Sequence, residues 1–215
     1  MNAGCAFDLD HYRELLDAAK AGGYRFAFFD HEPIRGDLLL RHDVDLSLDA
    51  ALALADAEAE AGARATYFLM TRSVFYNLAS AEGERALARL RKLGHRVGLH
   101  AVHPHLDLDD RFDPVVAWHN PDPEFMREPL DRAVNVMQAP YFDPEHYRSD
   151  SNQHWRTGCP HGGLAAGGFE WLQLLTHPEI WAYPGETMRE TMLAMLDAER
   201  TRDLERLAED RIDLT

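Results

Sequence analysis

Three observations predict an α/β fold built on a mainly parallel sheet. Short apolar runs of strand length recur along the chain, helical stretches separate most of them, and glycines close most of the helices. Alternation of this kind implies right-handed crossovers, and about six to eight strands fit a small, distorted (β/α) barrel better than a short open sheet.

The elements follow in order. Asp10 to Ala21 reads as a helix with Tyr12, Leu15, Leu16 and Ala19 on one face and Gly22-Gly23 as its stop. Tyr24 to Phe29 reads as a strand, and Pro33 and Gly36 turn the chain into Leu38-Leu39-Leu40-Arg41-His42-Asp43-Val44-Asp45, a buried strand running into two aspartates. An alanine-rich helix spans Ser47 to Ala61 and stops at Gly62; Ala65 to Met70 is the next strand, Ser80 to Leu93 a helix closed by Gly94, and Arg96 to His100 a strand. His103 to Arg111 is a polar loop, Pro114 to His119 an apolar run stopped by Asn120-Pro121, and Ala133 to Gln138 another strand. Tyr147 to Arg156 reads as a long loop, Gly162 to Gly168 flank a short turn of helix, and Trp171 to His177 is the last strand. From Gly185, Met188, Met192, Leu193 and Leu196 mark an amphipathic helix with a charged tail through residue 215, a face that also offers a dimer contact.

Composition narrows the function classes. A 215-residue chain with 46% hydrophobic and 27% charged residues is expected to form one domain over its whole length. A net charge of −15 argues against nucleic acid and anionic membranes as partners. No run approaches the ~18 apolar residues of a membrane span, and Met1 to Asp8 lacks the pattern of a secretory leader. Cys5 and Cys159 do not make a disulfide framework, so a reducing cytoplasm is the expected compartment. Twelve histidines, most of them in the middle of the chain, point to metal if their placement agrees.

Placement does agree. In parallel α/β folds the working face lies at the carboxyl ends of the strands. Asp43 and Asp45 end one strand, His100 a second, His119 a third and His177 a fourth. In an extended chain Asp43 and Asp45 point to one side, and two carboxylates there need a cation or a hydrogen-bond network to offset their repulsion; the plain alternative is that one of them caps the following helix. One carboxylate with two imidazoles suits zinc, iron, cobalt or nickel better than calcium or magnesium, and three ligands leave a place for an acidified water. Asp45 is then read as the metal ligand and Asp43 as the base, with His177 the acid from across the rim and Arg156 the cation that keeps Asp43 ionised; the plain alternatives are that Arg156 pairs with a surface acid and that Asp43 supports a ligand histidine.

The same residues carry a resemblance. Leu40-Arg41-His42-Asp43-Val44-Asp45, Ala65-Thr66-Tyr67-Phe68, Gly94 to His100 and Leu174-Leu175-Thr176-His177-Pro178 resemble, in order, the polysaccharide deacetylases of carbohydrate esterase family 4, over roughly residues 36 to 183. The resemblance implies a distorted (β/α) barrel and a metal-dependent hydrolase of N-acyl groups, with Asp43 as base, Asp45 and His100 as metal ligands and His177 as acid. The chain departs from that pattern where the family places a second histidine four residues after the first: position 104 is proline. His103 and His105 are the nearby substitutes, and His119, at the end of a buried strand, is the preferred third ligand because a strand positions a ligand better than a loop does. Asp150, Asn152 and Trp155, in the long polar loop, are the expected substrate-reading residues.

The expected function is removal of an acyl group, acetyl above all, from the nitrogen of a sugar or sugar-containing small molecule, with Zn2+ as cofactor and a metal-bound water as nucleophile. Two alternatives stand beside it: hydrolysis of a non-sugar C–N bond such as a cyclic amide, and an inactive homologue that binds metal or glycan.

Overall fold

The computed structural model describes residues 5–212. Residues 1–4, part of the stretch read for a leader, and the last three residues of the charged tail lie outside the described residues.

Helix α1 (Leu9–Ala21) starts at an Asp8 cap and leads into the two-residue strand β1 (Arg25–Phe26) and the long strand β2 (Asp37–Val44). Helix α2 (Leu48–Glu60), capped by the Ser47 hydroxyl, returns the chain to β3 (Ala65–Leu69). Helix α3 (Ala81–Lys92) precedes β4 (Arg96–Ala101), which is followed by β5 (Val115–Trp118) and β6 (Val134–Asn135). Then come β7 (Tyr147–Ser149), α4 (His161–Ala165), β8 (Leu172–Thr176), α5 (Pro178–Ala182) and α6 (Met188–Glu209). No helix is long and apolar enough to cross a membrane among the described residues.

All strand pairs are parallel, in the order β6-β5-β4-β3-β2-β8-β7. The sheet curls into a half-barrel flanked by helices, which is the distorted (β/α) barrel the sequence predicts. β1 adds to β2 at Asp37 and Leu38, ahead of β3, whose pairing begins at Leu40. Four elements differ from expectation. The strands read over Tyr24–Phe29 and Ala133–Gln138 pair only at Arg25–Phe26 and Val134–Asn135. The stretch read as a loop from Tyr147 begins with β7, an edge strand short enough that three residues carry no visible alternation. Pro178, which follows the last strand, opens a helical turn because a proline fits the first position of a helix.

Alternation along the strands divides the interior in two. Leu38, Leu40 and Val44, Tyr67 and Leu69, Val97 and Leu99, and Leu172 and Leu174 face the helices and form the larger core. Leu39, Phe68, Val115, Ala117 and Val136 face the inside of the half-barrel with Phe29, Tyr141 and Trp171. Gly98 keeps that inner face narrow, since a Cβ there would meet the Phe68 ring at 2.6 Å and Val115 Cγ2 at 2.8 Å. Counting two residues at a time along the inner face leads from Leu39 to Arg41, Asp43 and Asp45, from Gly98 to His100, from Val115 to His119, and from Gln173 to His177.

Candidate metal centre

Those inner-face residues meet at the carboxyl ends of the strands. A cavity of about 260 Å³ is lined there by Arg41, Asp43, Asp45, His100, His119 and His177, with Trp118, Tyr147 and Ser151 among its other walls. His100 Nε2 lies 3.0 Å from Asp45 Oδ1, His119 Nδ1 lies 3.1 Å from the same oxygen, and the two ring nitrogens are 3.2 Å apart. Metal–ligand bonds of about 2.0–2.1 Å in a tetrahedron put neighbouring ligand atoms about 3.3 Å apart, so these three atoms fit three corners of one.

The surroundings prepare the ligands. His100 Nδ1 is 3.0 Å from the Ala117 carbonyl, which can only accept, so that nitrogen carries a proton and Nε2 is the atom left facing Asp45, able to offer a lone pair to an ion once it gives up the proton it shares with that carboxylate. Burial opposes the charge on Asp45, but the hydrogen bonds from His100 and His119 outweigh it and hold the carboxyl far below its usual range. His119, half-buried at the end of β5, is raised above the ordinary imidazole value, first by its bond to Asp45.

Asp43 sits beside this triad, with Oδ2 3.8 Å from His100 Nε2. Its ionising partner is Arg41, not Arg156. Arg41 is fully buried two residues earlier on the same face of β2, and its Nε and Nη2 donate to the two carboxylate oxygens at 2.8 and 2.6 Å. Nη1 donates to Gln173 Oε1 at 3.2 Å, and the Gln173 amide in turn donates to the carbonyls of Val136 and Tyr141. Burial works against the Asp43 charge, yet Arg41 and then His100 bring its pKa below the ordinary value. Arg156 is exposed and lines an adjoining cavity of about 310 Å³ with Phe142, Tyr147 and Arg148. The signal that finds Arg41 was present in the sequence as the i, i+2 spacing that also pairs Asp43 with Asp45.

His177 follows β8, which pairs directly with β2, so it flanks Asp43 from the neighbouring strand rather than from across the rim. Asp150 holds it: Oδ1 is 2.6 Å from His177 Nδ1, and Oδ2 accepts from the His177 amide at 3.0 Å and from Trp181 Nε1 at 2.7 Å. Burial would push the His177 imidazolium down, but the Asp150 charge and hydrogen bond overcome it and lift the group to about 10.

The loop residues expected to read substrate are placed elsewhere. Asp150 is fully buried and spends its oxygens on His177 and Trp181. Trp155 is buried too, stacked on Phe7 with ring centroids 6.0 Å apart and donating its Nε1–H to Cys5 Sγ. Asn152 is exposed in a left-handed turn outside both cavities. His103 stacks on Phe125 with centroids 4.2 Å apart, and His105 is exposed, so neither joins the triad that His119 completes.

Comparison of the chain with protein-family models, with curated proteins and with solved structures finds no match.

Proposed function

We propose that this chain is a metal-dependent hydrolase that removes an acyl group, acetyl above all, from the nitrogen of a sugar or sugar-containing small molecule. The observation that carries the reading is the meeting of three ligand atoms within 3.2 Å of one another beside an arginine-held aspartate and an aspartate-held histidine. The donor set favours Zn2+: two imidazole nitrogens and one carboxylate oxygen are borderline ligands, poorly matched to calcium or magnesium. Such an ion supplies Lewis acidity toward an acyl oxygen and lowers the pKa of a water in the open position.

The protein's own groups divide the proton work. Asp43, kept ionised by Arg41, accepts the proton of the attacking water. His177, kept protonated by Asp150, donates to the departing nitrogen, and the Asp150 contact to Nδ1 leaves Nε2 as the donating atom. Buried Asp150 and Arg41 thus set the charge of the two groups that exchange protons, one holding an acid and the other a base. The adjoining cavity lined by Phe142, Tyr147, Arg148 and Arg156 shares Tyr147 and Ser151 with the metal-facing one, which makes it the natural seat for the rest of the substrate. In this reading Arg156 contacts substrate.

Acetate release from N-acetylated amino sugars, measured with metal content on the same sample, is the test. Release by the Zn2+-loaded protein that disappears in Asp43→Asn, with the metal retained, is the expected result. Bound metal without turnover on N-acyl sugars or cyclic amides would leave a binding protein in its place.

A further inference from the structure

A second set of ligand-type side chains gathers away from the candidate metal centre. Cys5 precedes α1, His11 lies in the first turn of α1, and Cys159 lies in the loop before α4. Cys5 Sγ is 3.2 Å from His11 Nε2 and 2.9 Å from Cys159 Sγ, and Cys159 Sγ is 3.4 Å from the same nitrogen. Both cysteines are free and half-buried. Three soft or borderline donors from pieces far apart in sequence therefore share one point.

The groups around them favour a cation at that point. His11 Nδ1 is 2.8 Å from Glu14 Oε2, one helical turn on; the carboxylate can only accept, so Nδ1 carries the proton and the Nε2 lone pair faces both sulfurs. A carboxylate behind an imidazole is the usual support of a metal-bound histidine. Trp155 Nε1–H donates to Cys5 Sγ at 3.2 Å, a partner suited to an electron-rich sulfur. A cavity of about 630 Å³, with Asp8, Gln153 and Glu186 in its walls, reaches the cluster at Cys5.

We infer that Cys5, His11 and Cys159 form a second metal site that takes Zn2+ as two thiolates and one imidazole. Binding releases the two thiol protons to solvent and forms two Zn–S bonds and one Zn–N bond. Bonds of about 2.3 and 2.0–2.1 Å require ligand edges of roughly 3.5–3.8 Å, so the side chains open by less than about 1 Å to receive the ion. The site ties the entry to α1 to the loop that carries Trp155, itself only a few residues beyond the Asp150 that holds His177. A Cys5–Cys159 disulfide is the competing use of the same sulfurs, but it leaves the Glu14-oriented lone pair of His11 without a purpose.

Cobalt(II), a coloured stand-in for Zn2+, decides the matter in the full chain purified under reductant. The Asp45→Asn variant weakens the other centre and keeps both cysteines, so a thiolate signature from cobalt in it reports on this site. Expected are thiolate-to-cobalt charge-transfer absorption in the near-ultraviolet and a rise in melting temperature on adding Zn2+, both lost in Cys159→Ser and in His11→Phe. Folded Asp45→Asn protein, verified by circular dichroism and with both thiols titratable after chelator treatment in denaturant, that shows no such absorption would overturn the inference. Failure of the Asp45 centre alone shows in the wild type as charge transfer without acetate release, and leaves this site standing.

Discussion

Two carboxylate–histidine clusters lie on opposite faces of β2. On the helix side Glu58 is fully buried, and His42 Nε2 and the Tyr12 hydroxyl meet its Oε1 at 2.7 and 2.6 Å. The Tyr67 hydroxyl donates to Oε2 at 2.7 Å, with His95 Nδ1 3.5 Å away. The remaining ring nitrogen of His42 meets Thr176 Oγ1, and His95 Nε2 meets the Ala55 carbonyl. On the inner side Asp45, His100 and His119 line a cavity and bring one ligand atom each within 3.2 Å of the others. The difference teaches which histidines to read as function. A buried carboxylate ringed by tyrosines and histidines with no cavity beside it locks a helix onto a sheet, whereas a carboxylate and two imidazoles that are paired with one another beside a cavity at a strand end can exchange those contacts for a shared ion. His42 and Asp43, adjacent in sequence, fall on opposite sides of that division because successive strand residues point to opposite faces.

Substitutions sharpen this contrast. The largest expected effect is on the inner side: Asp43→Asn lowers kcat for N-acyl hydrolysis by about 10²–10⁴-fold, in the range of a lost general base, with the metal still bound. On the helix side Glu58→Ala lowers unfolding free energy by about 3–5 kcal/mol in urea titrations, because two tyrosines and two histidines lose a buried partner. Unchanged metal stoichiometry in its folded fraction separates the two faces; metal loss at the inner site in Glu58→Ala would merge them.

Glu58 and His177 respond to pH in opposite ways. Burial opposes the Glu58 charge, but His42 and then His95 outweigh it and hold the pKa below 4.5, so its stabilisation is present above that value and is lost as pH falls through the lower folded one. Glu58→Gln should therefore flatten the acid limb of melting temperature against pH. His177 has the reverse sign: its raised pKa gives stabilisation that is fully present below 6.5 and lost as pH rises through about 10. The alkaline limb of kcat/KM should lie near that upper value, and Asp150→Asn should move it toward neutral pH, since removing the negative partner favours the uncharged imidazole. A limb that stays in place would remove His177 from the proton path.

The smallest effect is expected in the loop that follows β4. His105→Ala should change stability by no more than about 0.5 kcal/mol and leave metal content alone, while His119→Ala loses the ion. Metal analysis of the two variants side by side checks the choice of third ligand.

Much of this was legible in the chain itself. Apolar runs between helix signals predict the parallel α/β architecture, and the residues that end those runs predict which side chains share the rim, because a strand carries its last inner-face residue to the mouth. A two-residue step along β2 puts Arg41 on the face of Asp43, although the sequence alone points to Arg156 for that role. Other assignments needed the third dimension. That Asp150 serves His177, that Trp155 is core rather than platform, and that Arg156 belongs to the adjoining cavity all depend on how an irregular loop returns across the sheet. Loops follow no period that projects sequence distance onto space. The meeting of Cys5 with Cys159 has the same cause: 154 positions separate them in sequence, and only the packing of α1 against α4 and the neighbouring loop brings the sulfurs together. Local alternation determined which residues can look inward; tertiary packing decided which of them meet.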